Sequence, residues 1–137
     1  VPVTLLFAYG TLMRGYPLHP VLDRGATYLG PGRVAGTLLD LGSYPGLVEG
    51  RDAVAGEVYR VDTPELLPAV DREEGYNFRR RRRRIALTGD RQAWAWVYHY
   101  EGPRARAPVI ADGDYRRARP PRASGPPRRG RPPAAAL

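Results

Sequence analysis

Neither cysteine nor lysine occurs among the 137 residues, and there are only two histidines and one methionine. Without cysteine the chain can build no disulfide framework and offers no thiol nucleophile. Two histidines, His19 and His99, are too few for a zinc site of the ordinary type. Long hydrophobic runs are missing as well, and no stretch approaches the ~20 apolar residues that cross a bilayer as a helix. The opening VPVTLLFAYG has no basic segment ahead of its apolar run, so no signal peptide is expected. These absences point to the cytoplasm and away from membrane partners.

The length suits one domain. The apolar fraction, 42%, can support a core. The formal net charge of +8 is unevenly spread. Residues 1–78 are net acidic, while the basicity sits in the run Arg79–Arg84 and in the stretch beyond it. Every basic residue is arginine, and with so much alanine, glycine and proline this has the look of a GC-rich coding bias.

The chain turns on Leu5–Leu12, LLFAYGTL. The segment Val3–Ala8 is apolar except for Thr4, as in a strand buried on both faces. Gly10 follows, where the chain can turn sharply and another group can come close to its backbone. A buried strand that breaks into such a turn leaves N–H groups pointing one way, a nest suited to an anion or a carbonyl oxygen. The same tetrapeptide, Tyr9-Gly10-Thr11-Leu12, is also compatible with a plain strand-to-loop corner.

Further along, His19–Arg24 reads as a short helix closed by Gly25. Thr27–Leu41 reads as two strands around a Gly30–Gly32 turn. Tyr44–Leu47 is a turn headed by an aromatic residue, and Ala53–Val61 alternates as a strand. Within that strand Glu57 is expected as a polar tip or an edge position. Asp62-Thr63-Pro64-Glu65 predicts a helix start, with a capping residue, Pro at the first helical position and an acid in the first turn. That helix should run from Pro64 to Glu74 and stop at Gly75, with a kink at Pro68. Asn77–Thr88 and Gln92–Tyr100 are predicted strands joined through Gly89-Asp90. Trp94, Trp96, Tyr98 and Tyr100 share one face of the latter, read as core or pocket wall. His99, on the opposite face, and His19 are read as structural, and the tryptophans as packing. A single α+β domain is expected over residues 1–118. Residues 119–137, made almost wholly of Pro, Gly, Arg and Ala, are expected to be a disordered tail.

Helix geometry singles out one acid. Leu66, Leu67 and Val70 form a stripe about 100° wide, and Glu74 projects about 30° from its middle. Glu73 and Asp71 point further away. Glu74 also lies in the last turn, where the helix dipole disfavours a negative charge. Burial and dipole both favour its neutral form, which makes it a candidate general acid or base. The alternative is a structural glutamate paired with one of the many arginines.

In order and spacing, several pieces resemble the gamma-glutamylcyclotransferase-like proteins. They are Tyr9-Gly10-Thr11-Leu12, Tyr44-Pro45-Gly46, Asp71-Arg72-Glu73-Glu74-Gly75-Tyr76, the aromatic strand Trp94–Tyr100 and Gly113-Asp114-Tyr115-Arg116. The resemblance spans about residues 3–117. It implies a small mixed β-barrel with flanking helices. It implies that Tyr9, Gly10, Thr11 and Leu12 bind a small γ-glutamyl substrate through backbone N–H groups, with Tyr44 nearby, and that Glu74 is the proton acceptor. The implied reaction is a cofactor-free, metal-free transferase or lyase chemistry in which the γ-glutamyl amine closes on its own amide to give 5-oxoproline and a free amine. Phe78 stands where the family often carries tyrosine, and Tyr115 where tryptophan is common. The family also includes members without known activity, so an inactive small-molecule-binding protein is a second reading. A third is nucleic-acid binding through Arg79–Arg84 and the tail. It is disfavoured because alternation puts only every second arginine on one face and the neighbouring aromatics read as core. The bland account is a solvated, arginine-rich edge strand. Locally, Arg80 or Arg82 is a candidate for holding a substrate carboxylate.

Overall fold

The computed structural model describes residues 3–121. The expected tail lies, from residue 122 onward, outside the described residues. Of its earlier part, Arg119 pairs with Asp40 at 2.8 Å.

Five strands close into a barrel: β1 (Leu5–Ala8), β2 (Ala26–Asp40), β3 (Pro45–Val61), β4 (Phe78–Ala86) and β5 (Gln92–Tyr100), in the order β1-β3-β2-β4-β5. β1 and β5 run parallel and complete the ring, while β3 is antiparallel to both β1 and β2. Phe7 faces Val58 on one side and Val97 on the other; with Val54 and Ile85 these side chains are almost wholly buried and fill the interior. Among the described residues three short helices flank the barrel: α1 (His19–Asp23), α2 (Leu66–Glu74) and α3 (Tyr115–Ala118). Leu22 of α1 and Leu66 and Val70 of α2 join the same core, and the two helices touch. Among the described residues no helix is long and apolar enough to cross a membrane.

The architecture is the mixed barrel with flanking helices that the resemblance implies, but several local expectations change. Gly30–Gly32 is no turn. β2 runs unbroken with a bulge between Tyr28 and Gly30 and another between Gly36 and Thr37, which bend the long strand around the barrel. The turn near Tyr44 comes earlier, with Leu41 N–H donating to the Tyr44 carbonyl at 3.0 Å. Pro45 is already the first residue of β3, a position where its missing N–H is tolerated.

α2 starts at Leu66 rather than Pro64, with Glu65 at its N-cap and no side-chain capping hydrogen bond. The Asp62 carboxylate is held by Thr27 Oγ1 at 2.6 Å and Arg60 Nε at 2.7 Å. Pro68 thereby falls in the first turn, whose N–H groups have no helical partner in any case, so the helix needs no kink. Gly75, at φ 81°, ends the helix as expected.

The aromatic face of β5 is only half core. Tyr98 and Tyr100 are buried, but Trp94 is 52% exposed. Ala95, Val97 and His99 on the other face are buried. The arginine run is not a free edge either: β4 pairs along its whole length with β5 and meets β2 through Arg33 and Ala86.

Candidate active site

The loop after β1 is fixed by its carbonyls. Gly10 C=O accepts from Met13 N–H and Thr11 C=O from Leu18 N–H, each at 3.0 Å. Leu12 C=O accepts from His19 Nδ1 at 3.0 Å. Because a peptide group is planar and trans, the N–H of Thr11 points opposite to the Gly10 carbonyl, and that of Leu12 opposite to the Thr11 carbonyl. Among the described residues neither N–H has a backbone acceptor. Gly10 is required by contact: a Cβ there would stand 2.6 Å from Pro45 Cγ and 2.8 Å from Pro45 Cδ. The group that comes close to its backbone is thus the first residue of β3.

Tyr9, Gly10, Thr11, Leu12, Tyr44 and Glu74 all line one narrow pocket. Phe78 and Tyr98 complete its walls. The Tyr9 hydroxyl is fully committed, donating to the Tyr98 carbonyl at 2.7 Å and accepting from Leu47 N–H at 3.0 Å. Burial, and then the Glu74 charge, push its pKa far up, so it stays protonated. Tyr9 therefore builds the wall and moves no proton. Tyr44 is half-buried and packs edge-on against Phe78, with ring centroids 5.7 Å apart.

Glu74 closes the pocket from the end of α2. Burial of its carboxyl, and then the nearby Asp71 charge, raise its pKa from 4.5 to about 7. Among the described residues no ion pair reaches it. The arginine that could have neutralised it is engaged one turn back: Arg80 grips Asp71 through Nε at 2.7 Å and Nη2 at 3.0 Å. Tyr98 donates to the same carboxylate at 2.6 Å. Burial alone would raise the Asp71 pKa, but these contacts outweigh it and hold the carboxyl below its usual range. Two acids on one helix are thus pushed apart, with Asp71 kept ionised and Glu74 poised near neutrality. The structural, arginine-paired acid of this helix is Asp71.

Sequence reasoning missed Glu57. It is neither a tip nor an edge residue but is 5% exposed. It accepts from Arg14 N–H at 3.0 Å, Tyr59 hydroxyl at 2.7 Å, Arg14 Nε at 3.3 Å and Arg116 Nη2 at 3.0 Å. Arg116 also donates to the Arg14 carbonyl at 2.7 Å. Both backbone groups of Arg14, two residues beyond Leu12, are therefore pinned. Burial pushes the Glu57 pKa up, yet these donors hold it below the ordinary carboxylate range. The one signal in the sequence was an acid amid apolar alternation.

Arg80 and Arg82 do not enter the pocket. Arg80 holds Asp71, and Arg82 lies over the Trp94 ring, 5.7 Å from its centroid. His99 is buried and neutral, with Arg83 Nη1 donating to its Nε2 at 2.9 Å. Burial, and then the Arg83 charge, lower its pKa to about 4.

Residues 6–117 match the model of the family described as gamma-glutamyl cyclotransferase, AIG2-like. A Vibrio cholerae protein provisionally named a gamma-glutamylcyclotransferase is 36% identical over 119 residues, covering 81% of this chain and 94% of its own length. A Niallia circulans protein named gamma-L-glutamyl-butirosin B gamma-glutamyl cyclotransferase is 39% identical over 72 residues, covering 52% of this chain and 46% of its own. The crystal structure of an AIG2-like protein from Mus musculus superimposes with a TM-score of 0.71 at 26% identity, covering 96% of this chain and all of that one.

Proposed function

The chain belongs to the gamma-glutamyl cyclotransferase, AIG2-like family, and from that premise we propose that it converts a γ-glutamyl amide into 5-oxoproline and a free amine. One observation carries the reading: Glu74, with a pKa of about 7 and no ion pair among the described residues, lines the same pocket as Thr11 and Leu12, whose N–H groups have no backbone acceptor among those residues.

In this reading the N–H groups hold the γ-glutamyl part of the substrate, and the walls around Tyr9 and Tyr44 keep it folded back on itself. The substrate's α-nitrogen then lies against its own γ-carbonyl carbon. The α-ammonium gives a proton to ionised Glu74, and the freed amine attacks that carbon. The ring C–N bond forms, the amide C–N bond breaks as Glu74 returns its proton to the departing nitrogen, and the extra proton left on the ring nitrogen passes by way of the same carboxylate to the released amine, which leaves as an ammonium ion. Protons balance with one carboxyl group, and a pKa near neutrality lets the same group take and give. Because nucleophile and electrophile belong to one molecule, most of the acceleration comes from holding them in reacting geometry. Tyr98 and Arg80 serve indirectly, by keeping Asp71 charged beside Glu74.

The leaving amine is open in this account. The Niallia circulans relative's name couples the glutamyl group to butirosin B. The test is a panel of γ-glutamyl amines and γ-glutamyl amino acids, assayed for 5-oxoproline by mass spectrometry with wild type and Glu74→Gln. At least one compound should release 5-oxoproline with the wild type, and the variant should release none while melting cooperatively. Turnover retained in Glu74→Gln, or no release from any compound, would overturn the assignment.

A further inference from the structure

The six consecutive arginines of β4 have no part in the site described above. Alternation sends Arg80, Arg82 and Arg84 to the outer face of the barrel, opposite the fully buried Ile85. Their cross-strand partners on β5 are Tyr98, Trp96 and Trp94. The guanidinium of Arg80 lies 4.6 Å from the Trp96 ring centroid, and those of Arg82 and Arg84 lie 5.7 and 5.2 Å from that of Trp94. Arg33 of β2 pairs with Ala86, next along the same face. Among the described residues no carboxylate forms an ion pair with Arg33, Arg82 or Arg84, whereas Arg79, Arg80 and Arg81 are all paired. The objection that the neighbouring aromatics belong to the core therefore fails for Trp94, which leaves 52% of its surface to solvent.

We propose that this face binds single-stranded nucleic acid, with Trp94 as a stacking platform for a base and Arg33, Arg82 and Arg84 as phosphate contacts. Successive arginines on one face of a strand stand about 7 Å apart, a stride comparable with that of an extended single strand. Cation–π contact with the indole holds Arg82 and Arg84 near it before a ligand arrives, so less side-chain freedom is lost on binding. Unpaired cations beside an exposed aromatic are what sequence-tolerant single-strand binding uses. A duplex buries its bases and offers none to Trp94. A mononucleotide uses one rung of the ladder, and a peptide of acidic residues gives the indole nothing to stack on.

The experiment is fluorescence anisotropy of a labelled oligothymidylate with the full chain, alongside quenching of tryptophan emission. The wild type should bind, with emission quenched. Trp94→Ala should weaken binding roughly 5- to 150-fold, since base stacking on an aromatic side chain is worth about 1–3 kcal/mol. Arg82→Gln/Arg84→Gln should lower the slope of log affinity against log salt by about 1.4, at about 0.7 per phosphate on a single strand. Arginines beyond residue 121 contribute equally to wild type and variants, so the differences belong to the face. These side chains lie outside the pocket, and circular-dichroism melting checks that the variants fold. Binding unchanged by both sets of substitutions would overturn the proposal. So would equal affinity for duplex DNA, polyglutamate or thymidine monophosphate.

Discussion

Replacing Glu74 by glutamine should make the protein more stable at alkaline pH while removing its proposed catalytic group. The wild-type carboxyl has its pKa raised from 4.5 to about 7 by burial and by Asp71. Between those values the folded chain binds the proton that the unfolded chain has released, so stability falls as pH rises through this window. At about 1.36 kcal/mol per pH unit the full loss by pH 8 is about 3 kcal/mol. The residue keeps some contact with solvent, which brings the expected figure to about 2 kcal/mol. Glutamine has the shape of the neutral acid and no charge to bury. At pH 5, where wild-type Glu74 is protonated, the two proteins should melt together. At pH 8 the variant should melt higher by roughly 5–10 °C for a domain of this size. Thermal melts by circular dichroism at the two pH values measure this. A difference that does not grow with pH, or a variant less stable at pH 8, would refute the claim that Glu74 ionises at a cost to the fold.

Gly10→Ala drives a methyl into the Pro45 ring and should cost about 1–3 kcal/mol, with a raised KM for any γ-glutamyl substrate; Pro45→Ala in the same chain removes the clashing Cγ and Cδ and should restore part of both, read by a double-mutant cycle in urea. Glu57→Ala strands the Tyr59 hydroxyl and the Arg14 N–H and should cost roughly 2–4 kcal/mol in urea melts at pH 7. Because the folded-state pKa of Glu57 is depressed below 4.5, its contribution is present above that pH and is lost on acidification, so the gap between wild type and variant should close towards pH 3. His99→Gln tests a group with the same sign as Glu57 and the opposite sign to Glu74: the folded His99 titrates at about 4 rather than 6.5, so wild type loses stability as pH falls from 6.5 to 4, and the variant should not share that loss. In wild type this trend opposes that of Glu74, and the single variants separate the two.

Those parts of the pocket that depend on local order were legible in the sequence. The break of an apolar run into Tyr9-Gly10-Thr11-Leu12 marks a strand end, and the 3.6-residue period aims Glu74 inward whatever the rest of the chain does. Contacts far apart in sequence were not legible. Glu57 owes its place to Arg14 and Arg116, 43 and 59 residues away, and no periodicity links them. The start of α2 reads as Pro64 because Asp62-Thr63-Pro64-Glu65 has the residue types of a helix start, whereas Thr27 and Arg60, which hold the Asp62 carboxylate, meet it only in the folded barrel. Alternation correctly grouped Trp94 with Tyr98, but period alone does not say how far a covering helix extends. Tyr98 is buried and bonds to Asp71 of α2, while Trp94 is half exposed. The arginine that spares Glu74 and holds Asp71 was equally out of reach, since any of the three acids of α2 could have taken it.

The central claim is that a carboxyl poised near neutrality moves the proton. It is tested most directly by the pH dependence of kcat for 5-oxoproline release from a γ-glutamyl compound that the wild type turns over. The account predicts a rate that rises about tenfold per pH unit below the Glu74 pKa of about 7 and levels off above it. A rate that is flat from pH 5 to pH 8 would contradict it.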